Sequence, residues 1–412
     1  MRVEEREKVM RLHLPRLTFV GPILVLLLLL FTTGTAGAAS NPHSGRLKNA
    51  AAVPHQYTPK HISVSKLDMS GSGSHYLYVD DGTCPDSIDV YQTGSTLTHV
   101  GNYPNDGCTS TAYYGASSLA TVMANKTHGP CLLLADSSGF VDSFVINSDG
   151  SLGAEVSHLQ TASFGAPSNI VADVHGNTAY ETNPGYDLES YSIGSGCTLT
   201  YLQSTNASSK FYISAVIINK DLVTTDLFGN TIDTYVLGSG GSMTLKNSVA
   251  SQIIAPDSLA VQVLNPTNNP TYRVFTGQAT GSAPQVQGAR FTRGGNLKFL
   301  PNSPLTDPNG LNGGGVTFDN ALNLLIQGEQ YTDTLANYSA GRNGFAFMSE
   351  TPMAVAGEAP STFAQLNKTL FVDMIYNGDL EACTLTKAGA TNCASVAVLT
   401  SNTGVSAGIA LL

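Results

Sequence analysis

Histidine, arginine and carboxylate side chains are where chemistry would begin, and here their placement yields no catalytic set. All nine His lie at or before His175, so the chain beyond it has none to act as base or proton shuttle. After Arg46 only Arg273, Arg290, Arg293 and Arg342 remain, scattered rather than arranged as a clamp for phosphate or carboxylate. His128 and His175 fall in turns, Arg273 opens a strand, and Arg290 and Arg293 flank one. Each of these reads as structural. The acids Asp89, Asp142, Glu189, Asp233 and Glu381 recur at one position of successive segments. A catalytic group is normally unique, so these read as scaffold. Asp80, Asp136, Asn183, Asp226 and Asp373 close short apolar runs before turns, where Asx side chains cap backbone N–H groups. There is no nucleophile elbow, H-E-x-x-H, Walker loop, S-x-x-K or Ca²⁺ loop. Hence no catalytic, binding or metal-ligating residue is assigned and no cofactor is expected.

Six cysteines offer the remaining reactive chemistry. Their number is even and no C-x-x-C occurs, which favours disulfides over a metal knuckle or a redox motif. Cys383 with Cys393 is the first pair expected, since a short strand-loop-strand brings them together. Cys84 with Cys108 is the second, which leaves Cys131 and Cys197 over.

The elements that must position these groups repeat along the chain. Tyr76-Leu77-Tyr78-Val79-Asp80 leads to Ile88-Asp89-Val90-Tyr91 and Leu97-Thr98-His99-Val100. Leu132–Asp136, Ala179–Asn183, Leu222–Asp226, Arg273–Phe275, Leu324–Ile326 and Leu370–Asp373 open further copies. One position of the middle strand falls at Tyr91, Phe144, Tyr191, Tyr235, Phe291, Tyr338 and Cys383, giving seven copies spaced 44 to 56 residues apart. Four short strands per period predict an all-β, seven-bladed β-propeller of four-stranded antiparallel blades. Terminal strands must close the ring. The tail 404–410, His61–Ser65 or both complete the first blade.

Composition agrees. Only 12% of residues are charged, with 41 Gly and no Trp, which excludes coiled coil, helical solenoid and WD-type repeats. Residues 1–38 place Arg2, Arg6, Lys8, Arg11 and Arg16 before the apolar run Leu17–Phe31 and the small residues Ala36-Gly37-Ala38. That order predicts a signal peptide, with an uncleaved N-terminal membrane anchor as the alternative. Residues 39–59 read as a linker and 60–412 as the propeller. Without residues 1–38 the chain keeps 15 basic against 27 acidic side chains, a poor surface for nucleic acid or for anionic lipid.

The Tyr78-Val79-Asp80, Ile88-Asp89-Val90-Tyr91 and Leu97-Thr98-His99-Val100 segments resemble the lactonase-like seven-bladed propellers, with 6-phosphogluconolactonase and carboxymuconate cyclase relatives, and the surface proteins with YVTN repeats. The resemblance spans residues 60–412 and is clearest in the first four copies. For the enzyme members it implies His, Arg and acidic residues in the central funnel, and no such set maps onto this chain. The expectation is therefore an exported, monomeric binding module taking a small molecule, glycan or protein at the funnel. The alternatives are a lactone hydrolase or isomerase, and a structural or adhesive surface module.

Overall fold

Alternation dictates the packing. In the strand His75–Asp80, Leu77 and Val79 share one face and Tyr78 takes the other, and all three are fully buried. Such a strand is stable only between two neighbours. The computed structural model supplies them with seven antiparallel sheets. It describes residues 75–412, except 82–86, 95, 106–117, 164, 206–208, 265–269, 281–282, 311, 342–343, 357–358, 376–377 and 400–407.

Each sheet is a blade whose four strands run from the ring's centre outward. Blade I is Gly408–Leu411, His75–Asp80, Ser87–Thr93 and Thr98–Pro104. Blade II is Leu119–Val122, Cys131–Asp136, Phe140–Ile146 and Leu152–Gln160. Blade III is Asn169–Ala172, Thr178–Thr182, Leu188–Ile193 and Leu199–Ser204. Blade IV is Tyr212–Ile218, Asp221–Asp226, Thr231–Leu237 and Met243–Ala250. Blade V is Pro256–Val263, Tyr272–Gln278, Gln285–Phe291 and Leu297–Phe299, with Leu305–Thr306 added beside its third strand. Blade VI is Gly313–Asp319, Leu324–Glu329, Thr334–Gly341 and Gly344–Pro352. Blade VII is Pro360–Leu366, Thr369–Met374, Asp379–Thr386 and Gly389–Val398.

The ring closes through the C-terminal strand, with Leu411 opposite Leu77 and Gly408 opposite Asp80. The rival segment His61–Ser65 lies outside the described residues. Every inner strand touches the next, and that of blade VII touches that of blade I. A separate apolar core fills each gap between blades. Tyr78, Ile88 and Val90 of blade I meet Leu132, Leu134 and Phe144 of blade II. Leu77, Val79 and Tyr91, on the opposite face, meet Phe371, Leu380 and Ala382 of blade VII. A slip of one residue would exchange these sets, so hydrophobic burial fixes the register.

Blade V departs from the expected phase. Val274 pairs with Ala289, and Phe291 stands two residues further on, opposite Tyr272. Ala289 is thus the counterpart of Tyr91, which pairs with Leu77. The aromatic residue drew the sequence alignment out of step with the ladder.

Antiparallel order also sorts the loops. Turns between second and third strands, and connectors from one blade to the next, lie at one end of the ring, the rim face. The hairpins between first and second and between third and fourth strands lie at the other.

Candidate functional site

The inner strands of blades III to VII enclose a cavity of about 280 Å³ at the ring's centre, lined by Asn169, Ser214, Thr317 and Thr362 among apolar residues such as Leu259 and Phe318. Among the described residues, no ionisable side chain lines it.

Polar groups concentrate where these strands begin, at the rim face. In blades IV to VII the inner strand carries a bulge at that end, at Ile213-Ser214, Asp257, Gly314-Gly315 and Ser361. A bulge inserts residues the partner strand does not match and re-aims their side chains. Asp257 is almost fully buried and neither carboxylate oxygen meets a hydrogen-bond partner. Burial raises its pKa well above the carboxylate range. Ser361 Oγ, Gln278 Oε1 and Gln330 Nε2 are likewise buried without partners. Gly313 and Gly314 are required by close approach. A Cβ on Gly313 would overlap the Gln278 carbonyl, and one on Gly314 would lie 2.7 Å from the Pro360 carbonyl oxygen.

The rim face also exposes large apolar side chains in loops of the same sector. Tyr186 is 43% exposed, Phe228 65%, Ile254 62% and Tyr331 62%. Phe228 leans on Phe211 with ring centroids 4.5 Å apart. Beside Tyr331, Glu329 is fully buried, and burial with the neighbouring Asp307 pushes its pKa up to about 8. Thr332 and Thr334 donate to its Oε2 at 3.1 and 3.0 Å.

The recurring acids tie blade to connector. Glu189 of blade III accepts the Ala162 and Ser163 amides, both at 3.0 Å, from the segment joining blades II and III. Glu381 of blade VII accepts the Ala354 and Val355 amides at 2.8 Å from the preceding connector. Asp233 of blade IV faces Lys210 of its connector at 3.2 Å. In blade V, Gln287 takes the same role, with Oε1 accepting the Gln252 amide at 2.7 Å. Asp89 and Asp142 instead bond His99 and His158 of their own outer strands, at 3.1 and 2.8 Å.

The residues expected to cap turns divide by register. Asp136 and Asp226 do cap, accepting the Ser138 amide at 2.8 Å and the Gly229 amide at 3.0 Å. Asp80 and Asp373 instead turn to inner strands and accept the Ser118 and Thr362 hydroxyls at 2.6 and 2.9 Å. Asn183 Nδ2 donates to Ser163 Oγ.

The other candidates stand away from the rim. His128 is buried at the hairpin face, its Nε2 2.6 Å from the Gly176 carbonyl oxygen. His175 lies in the turn between the first two strands of blade III. Arg273 is buried between blades V and VI and donates to Gln262 Oε1 at 3.2 Å and to the Gly341 carbonyl at 2.5 Å. Arg290 and Arg293 are exposed, and Arg342 lies outside the described residues. Cys383 and Cys393 are joined within blade VII. Cys131 and Cys197 are joined across blades II and III. Cys84 and Cys108 lie outside the described residues.

Asp257 and Ser361 carry no motif that a sequence reading finds, because a bulge is a property of two strands. The Gly313-Gly314-Gly315 run was the one available signal, since consecutive glycines mark close backbone approach.

No family model and no curated protein matches the chain. Solved structures do. The periplasmic gluconolactonase PpgL of Pseudomonas aeruginosa is 14% identical with a TM-score of 0.64, over 82% of this chain and 99% of that one. A putative 6-phosphogluconolactonase of Bacteroides fragilis is 13% identical with a TM-score of 0.64, over 83% and 99%. A protein of unknown function from Desulfotomaculum acetoxidans is 12% identical with a TM-score of 0.59, over 82% and 99%. At this identity the likeness is one of fold alone, that of a seven-bladed propeller.

Proposed function

We propose that this protein is an exported, lactonase-like propeller that binds a small uncharged, hydroxyl-rich molecule at the rim face and performs no chemistry on it. The observation that carries the reading is the central cavity, whose polar lining is Asn169, Ser214, Thr317 and Thr362, with no acid, base or guanidinium among the described residues. Such a lining offers neutral hydrogen bonds and no charge for a phosphate or carboxylate. The unpartnered Asp257, Ser361, Gln278 and Gln330 groups add donors and acceptors nearby. Exposed Tyr186, Phe228 and Tyr331 supply apolar faces against which the C–H side of a sugar ring can lie. Export rests on residues 1–38 read as a signal or anchor.

The second reading is a lactone hydrolase. It is favoured by the shared fold with a gluconolactonase and by the rim carboxyl of Asp257. One experiment separates the two, with gluconolactone and glucose as probes. Ring opening is followed by pH-stat and binding by calorimetry, for the wild type, Tyr331→Ala and Asp257→Asn. The binding reading expects saturable heat with glucose, weakened severalfold in Tyr331→Ala, and ring opening at the buffer rate. Turnover that Asp257→Asn abolishes establishes the hydrolase instead. The intact N-terminal mass of exported protein tests loss of residues 1–38.

A further inference from the structure

A second cluster of chemistry-bearing groups lies on blade II, in its two outer strands. His158 Nδ1 stands 2.8 Å from Asp142 Oδ1 and 3.2 Å from Glu155 Oε1. One ligating atom from each of the three residues falls within 4.8 Å of the others. We propose that Asp142, Glu155 and His158 form a binding site for one divalent transition-metal ion of the zinc type.

Strand geometry explains the convergence. Residues three apart on a regular strand point to opposite faces. Here the ladder shifts register beside Phe144, so that Phe144 faces Glu155 while Asp142 faces His158. The bulge turns both outer-strand side chains toward the acid. The same shift recurs elsewhere and sets His99 and Asn102 opposite Tyr91 and Asp89 in blade I, Tyr201 and Ser204 opposite Tyr191 and Glu189 in blade III, and Leu245 and Ser248 opposite Tyr235 and Asp233 in blade IV. Among these four blades, only blade II fills the three positions with two carboxylates and an imidazole.

A second observation separates blade II from blade I. Asp89 Oδ1 accepts from Asn102 at 3.0 Å as well as pairing with His99. Asp142 is fully buried, yet its Oδ2 meets no donor. The buried acid thus keeps a lone pair for a metal, while Glu155 and His158, 26% and 36% exposed, leave a path from solvent. One nitrogen and two carboxylate oxygens, with solvent in the fourth position, suit tetrahedral zinc at about 2.0–2.2 Å. Ligand atoms around such an ion lie about 3.3–3.5 Å apart by the same geometry, close to the 2.8 and 3.2 Å that separate His158 Nδ1 from the two carboxylates. The charges balance too, since two carboxylates and a neutral imidazole offset a dication. On binding, the ion takes the place of the proton on Nδ1, which leaves to solvent.

The test titrates zinc chloride into the chelator-stripped protein by calorimetry and compares the wild type with Glu155→Gln and His158→Ala. Glu155→Gln leaves the Asp142–His158 pair in place, which guards against a loss caused by misfolding. Circular dichroism verifies the fold of both variants. One zinc per chain, an affinity at least tenfold lower in each variant, and a zinc-edge anomalous peak at His158 Nδ1 establish the site. No zinc heat, equal affinity in the three proteins, or a peak elsewhere overturns it.

Discussion

Over the described residues, the inner strands of blades I to III keep register with their partners, whereas in blades IV to VII each is interrupted at the rim end. The hydroxyls at these ends differ accordingly. Ser118, before the inner strand of blade II, donates to Asp80 at 2.6 Å. Ser168, before that of blade III, donates to the Ile213 carbonyl at 2.9 Å. Ser361 of blade VII and the carboxyl of Asp257 in blade V meet no partner. A buried polar group left unmatched costs about 1–3 kcal/mol, and such groups occur in both arcs, since both carboxylate oxygens of Glu181 in blade III and Oδ2 of Asp142 in blade II also lack a partner. The contrast between the two arcs is one of strand register at the rim end.

The largest expected effect breaks the stitched arc. The Cys131–Cys197 bond closes a separation of 66 residues across two blades. Replacing both with Ala should remove about 4 kcal/mol of stability by loop entropy, read from urea unfolding. The Cys383–Cys393 pair spans a separation of 10 within one blade. Its removal should cost about 3 kcal/mol on the same scale, and an equal or larger loss would deny the inter-blade bond its special weight.

Next comes the bulged arc. Gly313→Ala places a Cβ against the Gln278 carbonyl, where backbone must move. We expect a loss of about 2 kcal/mol. Gly153→Ala in blade II meets nothing nearer than 3.5 Å and should stay within about 0.5 kcal/mol of wild type.

A smaller effect follows from protonation. Glu329, raised to about 8, is held neutral by the fold and ionises more readily once unfolded. The folded state therefore binds the proton more tightly, and stability falls as pH rises from the normal carboxylate pKa through about 8. Asp257, raised by burial, acts in the same direction. Thermal melts between pH 5 and 9 should show a decline of at least about 1 kcal/mol, flattened in Glu329→Gln. A rising curve refutes the buried neutral acid. The smallest effect sharpens the functional contrast. Tyr331→Ala should weaken glucose binding about fivefold, near 1 kcal/mol, with little change in melting. Met123→Ala, exposed in a hairpin on the opposite face, should leave binding unchanged.

Architecture was legible because it rests on local repetition. Strand alternation, hairpin glycines and a recurrent apolar-acid-apolar-aromatic pattern each lie within about ten residues, and their period counts the blades. The recurring acids were also legible as scaffold, since recurrence argues against uniqueness, and Glu189 and Glu381 do anchor connectors. The phase of blade V was misjudged because Phe291 imitates the pattern two residues late. The distinction between Asp136, which caps a turn, and Asp80, which reaches an inner strand, was invisible, because one step of register reverses the face.

By itself, then, the sequence determined a seven-period all-β ring and a scarcity of cationic and imidazole groups. Those are sums over residues and short spacings. Only the tertiary structure decided which polar groups lack partners, and which neighbours Asp257, Ser361, Asp142 and Cys131 meet. Bulges, inter-blade contacts and burial join positions tens of residues apart, and no local pattern in the chain records those meetings.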